Sequence, residues 1–333
     1  DPGIVAAGHV ARAEASLREA GLQVAVWTGV RENPTSSIMS DAAASAREFG
    51  PDTLVGLGGG SSMDVAKGVN FLLAGGGRME DYHGTGKGRG TPLYSVGVPT
   101  TAGTGSEAQS YALVCRDDDG VKMACGDRRM RFRTVVLDPA LTVSMPREVA
   151  SLSAIDAVSH AIESYATRNG NPLSRALAAE AWRTIDGAFE DALGEPVNES
   201  ARGRMLIGAY LAGCAIEASM LGAAHASANP LTARHGVPHG AAVALMLPVV
   251  VRFNGQRHAS MYEALDPRGL DALVDRIEAL RSIAGLPERL RDVAVPRESL
   301  PALAADAAEQ WTGRHNPRPV ERDDLVRLYE EAW

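Results

Sequence analysis

The sequence predicts a chain in two parts, an N-terminal α/β domain on a mostly parallel sheet and a C-terminal domain of helices alone. Three observations carry this. β-type runs alternate with helical stretches between residues 22 and 137 and stop after Asp138-Pro139. From Pro146 onward, long Ala-, Leu-, Glu- and Arg-rich segments keep a helical period with no convincing strand. Two loops rich in glycine and hydroxyls follow directly on two strand runs, as ligand loops do at the carboxyl ends of strands in open α/β sheets. The boundary falls near residue 146, giving domains 1–146 and 147–333, with no internal repeat, low-complexity tract or long linker.

Taken in order, residues 4–20 read as an amphipathic helix, with Val5, Ala6, Val10, Ala13 and Leu17 at helical spacing and Gly21 as its stop. Leu22 to Trp27 is a short β-type run closed by Thr28-Gly29 and Asn33-Pro34. Ser36 to Phe49 is a second helix, broken by Gly50-Pro51-Asp52. Thr53 to Leu57 is a buried-strand candidate, followed by Gly58-Gly-Gly-Ser-Ser62 and a helix over Met63 to Leu73. A strand over Leu93 to Val98 runs into Pro99-Thr-Thr-Ala-Gly-Thr-Gly-Ser-Glu107, and further strand runs follow at Tyr111–Val114, Val121–Ala124 and Thr134–Leu137. The clearest helices of the second part are Ser151–Tyr165, Pro172–Leu193, Ala201–Leu221 and Leu270–Ala284.

Composition narrows the function. The chain has 333 residues, 45% hydrophobic and 22% charged, which is ordinary for a globular protein large enough for two cores. Its net charge is −8 and no stripe of Lys or Arg occurs, which argues against nucleic acid as the main partner. The longest apolar run, Ala241 to Val251, contains Pro248 and is too short to span a bilayer, so no membrane role is expected. Cys115, Cys125 and Cys214 form neither a CxxC pair nor an even framework, so reduced thiols in the cytoplasm are expected.

Gly58-Gly59-Gly60-Ser61-Ser62, between a strand and a helix, has the physics of a phosphate cradle. Glycines admit an anion to the backbone, and the helix N-terminus presents N–H groups and a positive dipole end to it. It is not the GxGxxG fingerprint of the ordinary dinucleotide fold. Read from the residues alone, Asp64 and Lys67 on the following helix are helix-end charge on a solvated face. The Thr100–Glu107 loop can line a second edge of a nucleotide or a small substrate.

The second part carries its own chemistry. Asp156 and His160 stand at i and i+4, one turn apart on one helix face, and His225, His235 and His239 fall within fifteen residues. One Asp and two or three His converging from separate helices suit a divalent ion of borderline softness, Fe²⁺ or Zn²⁺. By spacing alone, a polar helix face and histidines that never meet fit equally well.

Gly-Gly-Gly-Ser-Ser-Met-Asp-x-x-Lys, Pro-Thr-Thr-Ala-Gly-Thr-Gly-Ser-Glu and the Asp-x-x-x-His…His…Pro-His-Gly series together resemble the iron-containing (group III) alcohol dehydrogenase family, whose architecture is that of the dehydroquinate synthase-like fold. The resemblance extends to Leu247-Pro248…Phe253-Asn254 and Asn316-Pro-Arg-Pro319. It implies an N-terminal dinucleotide-binding domain, a helical catalytic domain and an active site in the cleft between them. It implies metal ligands at Asp156, His160, His225 and His239. It also implies cofactor contacts at Gly59, Gly60, Ser61, Asp64, Thr100, Thr101, Thr104 and Lys122. The implied reaction is reversible NAD- or NADP-linked oxidation of a small alcohol by a homodimeric enzyme.

The chain departs from the family in three places. Where most relatives have a histidine four residues after the third ligand, it has Asn229, which orients but does not shuttle protons at neutral pH. His235 is the substitute to test. Relatives begin with a further strand before the segment matching Asp1-Pro2-Gly3, so the N-terminal domain is expected to lack its first strand here. The family often has an acid after the strand that reads Val26-Trp27, and here Thr28 stands there with Arg31 close behind. A ribose-contacting threonine removes the repulsion of a 2′-phosphate and leads us to expect NADP(H) to be accepted at least as well as NAD(H). Alternatives on the same architecture are a polyol dehydrogenase, a sugar-phosphate cyclase and a nucleotide-binding relative without turnover. The cyclase needs several Lys and Arg for phosphate, whereas the His225–His239 segment offers only Arg234.

Overall fold

The computed structural model describes residues 1–333. Two compact units are present: Asp1–Thr101 with Ser106–Ser144, and Ala102–Gly105 with Met145–Trp333.

In the first unit the expected opening helix is two, α1 (Pro2–Ala6) and α2 (His9–Glu19), because Gly8 between them takes a left-handed φ of 76°. Leu22–Trp27 forms no strand, which corrects the expectation. A β-type run becomes a strand only with a hydrogen-bonded neighbour, and the nearest candidate, β1 (Thr53–Gly58), pairs only with β3 (Tyr94–Pro99). Helix α3 (Ser36–Phe49) is capped by Thr35 and stopped by left-handed Gly50. Helix α4 (Gly60–Gly75) starts three residues before the expected Met63 and so incorporates part of the glycine turn.

The strands make two small sheets rather than one. In the first, β1, β3 and β6 (Thr134–Val135) run parallel in the order β1-β3-β6. In the second, β2 (Gly84–Thr85) is parallel to β5 (Lys122–Gly126), which pairs antiparallel with β4 (Tyr111–Cys115). A short turn between β4 and β5, with Gly120 at a φ of 70°, leaves no room for a crossover helix, so that pair has to be antiparallel. The β1/β3 register runs from Thr53↔Tyr94 to Gly58↔Pro99, so both strands end side by side and release their loops together. Met39, Val65, Phe71, Leu72, Val114 and Met123 are among the buried residues of this unit's core.

The second unit is helical: α5 (Arg147–Ala166), α6 (Pro172–Asp186), α7 (Phe189–Leu193), α8 (Glu199–Ala218), α9 (Ala223–His235), α10 (His239–Tyr262), α11 (Leu270–Ile283), α12 (Leu300–Glu309) and α13 (Arg322–Ala332). Expected Pro172–Leu193 is broken into α6 and α7 at Gly187 and Ala188. Helix α5 is the axis. Ala154, Ile155, Ala157, Val158, Ala161 and Ile162 are buried all around it, the pattern of a helix enclosed on every side. Small residues let neighbours approach closely. A Cβ on Gly240 would lie 2.3 Å from the Leu152 carbonyl oxygen, and one on Gly103 would lie 2.6 Å from that of Ser153. Thus the start of α10 and the 102–105 loop both rest their backbones on α5. No single helix is long and apolar enough to cross a membrane. No disulfide joins the three cysteines.

Candidate metal centre and nucleotide loop

The spacing on α5 does what a helical period dictates: Asp156 and His160 share a face, and Asp156 Oδ1 lies 3.3 Å from His160 Nε2. Two more imidazoles reach the same oxygen. His225, third residue of α9, places Nε2 3.6 Å away, and His239, first residue of α10, places Nε2 3.7 Å away. The His160 and His225 rings stack with centroids 4.9 Å apart, and His225 and His239 are 5.4 Å apart. The histidines that by spacing alone need never have met therefore converge on one carboxylate oxygen.

The ring orientations are fixed from behind. His160 Nδ1 lies 3.1 Å from the Gly103 carbonyl oxygen, which can only accept, so the proton sits on Nδ1 and Nε2 presents its lone pair. His225 Nδ1 lies 2.6 Å from Glu163 Oε2 with the same consequence. Asp156 Oδ1 and His225 Nε2 are buried with no hydrogen-bond partner. Buried polar atoms without partners are costly, and here they point at each other with three imidazoles around them. Two ligands about 2.1 Å from one ion at a tetrahedral angle stand roughly 3.4 Å apart, which is the spacing found. Asp156, His160 and His225, whose donor atoms all lie within 4.8 Å of one another, fit a single divalent ion, and His239 Nε2 stands beside them 3.7 Å from Asp156 Oδ1. Asp156, His160 and His225 are buried, whereas the His239 side chain is 34% exposed, so the site opens on that side.

The charges follow. Burial alone would raise the Asp156 carboxyl, but the imidazoles of His160, His225 and His239 hold it well below the usual carboxylate range. Burial depresses His160 despite Asp156 beside it. For His225, burial also pulls down, yet the Asp156 and Glu163 carboxylates outweigh it and push the ring up to about 9.

The other candidate loop is made of backbone. β1 ends at Gly58, whose φ of 142° excludes most side chains, and α4 begins at Gly60 with no side-chain cap from Gly59. A Cβ on Gly58 would lie 2.4 Å from Ser62 Oγ. A Cβ on Gly59 would stand 3.4 Å from the Thr101 methyl, so the two loops touch at the ends of β1 and β3. Ser62 Oγ and Thr100 Oγ1 are buried without hydrogen-bond partners. An uncapped helix N-terminus with two unsatisfied hydroxyls beside it fits an anionic group such as a phosphate.

Asp64 and Lys67 are not on a solvated face. Both are buried, and Lys67 Nζ donates to Ser106 Oγ at 2.8 Å, to the Ser106 carbonyl at 3.0 Å and to the Tyr111 carbonyl. Asp64 Oδ1 accepts from Ser106 Oγ at 2.7 Å and lies 3.4 Å from Lys67 Nζ. A buried ammonium has to saturate its donors, and by doing so it pins the chain that leads from Ser106 into β4. Thr28 is exposed in the segment without regular structure before α3, and Lys122, first residue of β5, donates to Asn33 Oδ1 at 3.2 Å. Thr104 lies in the 102–105 stretch that packs with the helical unit.

Asn229 stands one turn after His225 and donates to Gln310 Oε1 at 3.0 Å. His235 ends α9, ten residues beyond His225, which at a helical rise is about 15 Å along the axis. Its Nε2 is buried without a partner. Arg234 is committed to Asp306, with Nη2 2.9 Å from Oδ1. Sequence reasoning missed Glu163 and Gly103. Glu163 was findable: it follows His160 by three and Asp156 by seven, on the same helix face.

The fold and these sites define a metal-dependent oxidoreductase built from an α/β unit and a helical unit. Residues 1–139 match the family described as Iron-containing alcohol dehydrogenase, and residues 150–333 match Fe-containing alcohol dehydrogenase family, C-terminal. The chain belongs to the iron-containing alcohol dehydrogenase family. It is 31% identical over 350 residues to the lactaldehyde reductase of Escherichia coli strain K12, covering 100% of this chain and 90% of that protein. The crystal structure of 1,3-propanediol oxidoreductase superposes with a TM-score of 0.94 at 29% identity, covering 98% of this chain and 88% of the other. The sulfoacetaldehyde reductase of Bifidobacterium kashiwanohense, solved in complex with NAD+, gives 0.90 at 29% identity, with the same coverages of 98% and 88%. The protein is accordingly an alcohol dehydrogenase or aldehyde reductase that interconverts an alcohol and its carbonyl compound with the help of a metal.

Proposed function

We propose that the chain catalyses reversible hydride exchange between a small, uncharged alcohol or aldehyde and NAD(H) or NADP(H). One Fe²⁺ would be held by Asp156, His160, His225 and His239, and the dinucleotide by Gly59, Gly60, Ser61, Asp64, Thr100, Thr101, Thr104 and Lys122. The observation that carries this reading is the pair of buried, partnerless atoms Asp156 Oδ1 and His225 Nε2 within a ring of imidazoles. One carboxylate and three imidazoles suit Fe²⁺ or Zn²⁺, and the family name favours iron. When bound, such an ion supplies Lewis acidity toward an alcohol or carbonyl oxygen.

The chain's own residues do the rest. Gly103 O and Glu163 hold the Nδ1 protons of His160 and His225 so that both Nε2 atoms face inward. The Gly58–Ser61 turn binds phosphate, and Thr100 and Ser62 offer hydroxyls that have no protein partner. Asn229, one turn from His225, is the favoured orienting group, whereas His235, about 15 Å further along α9, stands too far off to pass a proton directly. Arg234 pairs with Asp306 at the surface, nine residues beyond His225 on α9, and so gives no support to an anionic aldehyde or a cyclase phosphate. We take the enzyme to be a cytoplasmic homodimer, in which the three cysteines form no disulfide. Sedimentation would test the dimer.

The deciding experiment strips the protein of metal and follows NADH and NADPH oxidation against a panel of uncharged and anionic aldehydes. Turnover should appear on adding Fe²⁺ or Zn²⁺, and uncharged aldehydes should be the better substrates. No metal-dependent turnover with any aldehyde would overturn the reading.

A further inference from the structure

Helix α9 begins in an unusual way. Its N-cap residue, Gly222, has no side chain to satisfy the first N–H groups, and the caps come from distant parts of the chain. Asn316 Oδ1 accepts from Ala223 N–H at 3.2 Å. Glu163 Oε1 accepts from Ala224 N–H at 2.7 Å, and its Oε2 accepts from both the N–H and the Nδ1 of His225, at 3.3 and 2.6 Å. Asn316 is itself held by Asn254 through paired amides, Nδ2 to Oδ1 at 2.7 Å one way and 3.1 Å the other. Glu163, His225, Asn254 and Asn316 are all buried.

We propose that Glu163, backed by the Asn254–Asn316 amide pair, is the positioning element of the metal centre: it places the backbone start of α9 and the ring of His225 with one carboxylate. The inference rests on the metal-site reading above. Neutral caps would suffice if holding a helix end were the only task. A carboxylate whose second oxygen binds the ring of a proposed ligand does more, because it sets the tautomer and the direction of Nε2. Gly222 completes the device. A Cβ there would lie 2.8 Å from Glu163 Oε1 and 3.0 Å from Asn316 Oδ1, so only glycine lets both oxygens reach the helix.

Two substitutions separate positioning from simple support. In Glu163→Gln the amide has one oxygen and one NH₂. If its oxygen serves His225, its NH₂ faces the Ala224 N–H, and the reverse placement abandons the ring. Gly222→Ala changes no ligand and no charge but displaces the carboxylate. Asn171→Ala is the control, since Asn171 caps α6 by accepting from Ser174 N–H and touches nothing in the centre.

The experiment titrates Co²⁺ into the metal-free full chain of each variant, reading the dissociation constant and the visible absorption bands alongside thermal melting. Wild type should bind one Co²⁺. Glu163→Gln and Gly222→Ala should bind ten- to a hundredfold more weakly with shifted bands. Asn171→Ala should melt lower with unchanged affinity and bands. Wild-type affinity and spectrum in either folded site variant would overturn the positioning role. If one variant fails to fold, the other decides. A wild type that binds no Co²⁺ would overturn the metal site itself.

Discussion

Asp156 and Glu107 are both buried carboxylates, 6% and 4% exposed, and they ionise in opposite directions. Asp156, in the helical unit, has three imidazoles around it and is held far below the ordinary carboxylate range although burial opposes this. Glu107, in the loop that follows β3, is pushed up to about 7 by burial, with only a backbone hydrogen bond and the charge of Lys67 working against it. Lys67 spends its donors on Ser106 and the backbone around it. Burial sets the cost in both places, and the partner decides the outcome. A carboxylate kept charged inside a protein marks a place where positive charge is meant to be. One allowed to become neutral marks a place where a loop is packed.

The difference predicts what each removal does. Asp156→Ala takes away the common point on which the three imidazoles converge, and the neighbouring carboxylate, Glu163, is already engaged behind His225 on Nδ1 and the first N–H groups of α9. We expect the purified variant to carry no metal by elemental analysis and to turn over at background, with the helical fold intact by circular dichroism. Removal of metal from the wild type by a chelator should have the same effect and be reversed by Fe²⁺ or Zn²⁺. A metal-free Asp156→Ala protein with full turnover would break the comparison at its first member.

How much of this was legible in the sequence differs between the two units for the same reason. Asp156 and His160 are four residues apart on one helix, so their convergence is a local consequence of helical geometry. The glycine turn after Thr53–Leu57 is likewise local, and so is the change to helices after residue 146. Contacts that cross long stretches of chain left no such trace. Glu163 caps α9 from more than sixty residues away, and Asn316 does so from the far end of the unit. Lys67 looked like a surface charge because its acceptors lie beyond the next strand. The run Leu22–Trp27 has the composition of a strand, but pairing depends on a neighbour that composition does not specify. The antiparallel β4–β5 pair is implicit in the short turn between the two runs, a local signal that the general alternation of strand and helix masks.

Glu107 tests the other member through pH. Its carboxyl is raised from 4.5 to about 7, so below pH 4.5 it is protonated whether the chain is folded or not and costs nothing. Between those values the unfolded chain releases the proton while the folded chain keeps it, and stability falls as pH rises. Above about 7 the loss is complete, on the order of 3 kcal/mol. Glu107→Gln has no proton to keep. In urea unfolding, the variant should gain on the wild type between pH 5 and pH 8, while metal content stays unchanged. Parallel stability curves for the two proteins over that range would mean that Glu107 is ionised in the fold and that the contrast with Asp156 is false.

The smallest effect concerns an exposed residue, where partners count for less because water screens them. Thr28 lies on the surface in the irregular segment before α3, with Arg31 three residues on. If it faces the adenosine ribose, an acid there would accept the two ribose hydroxyls and repel a 2′-phosphate. In water-like surroundings at about 5 Å, a carboxylate and a phosphate of roughly −1.5 to −2 charge repel by about 1–2 kcal/mol, or about tenfold in preference. We therefore expect the wild type to use NADPH at least as well as NADH, and Thr28→Asp to shift the ratio of kcat/KM about tenfold toward NADH. The shift should shrink as salt is raised, because exposed charges are screened within about 8–10 Å at ordinary ionic strength. A buried contact such as Glu163 to His225 should show no such salt dependence, which makes the pair a direct measure of what enclosure adds. A wild type that strongly prefers NADH, with a ratio untouched by Thr28→Asp at any salt, would place Thr28 away from the ribose.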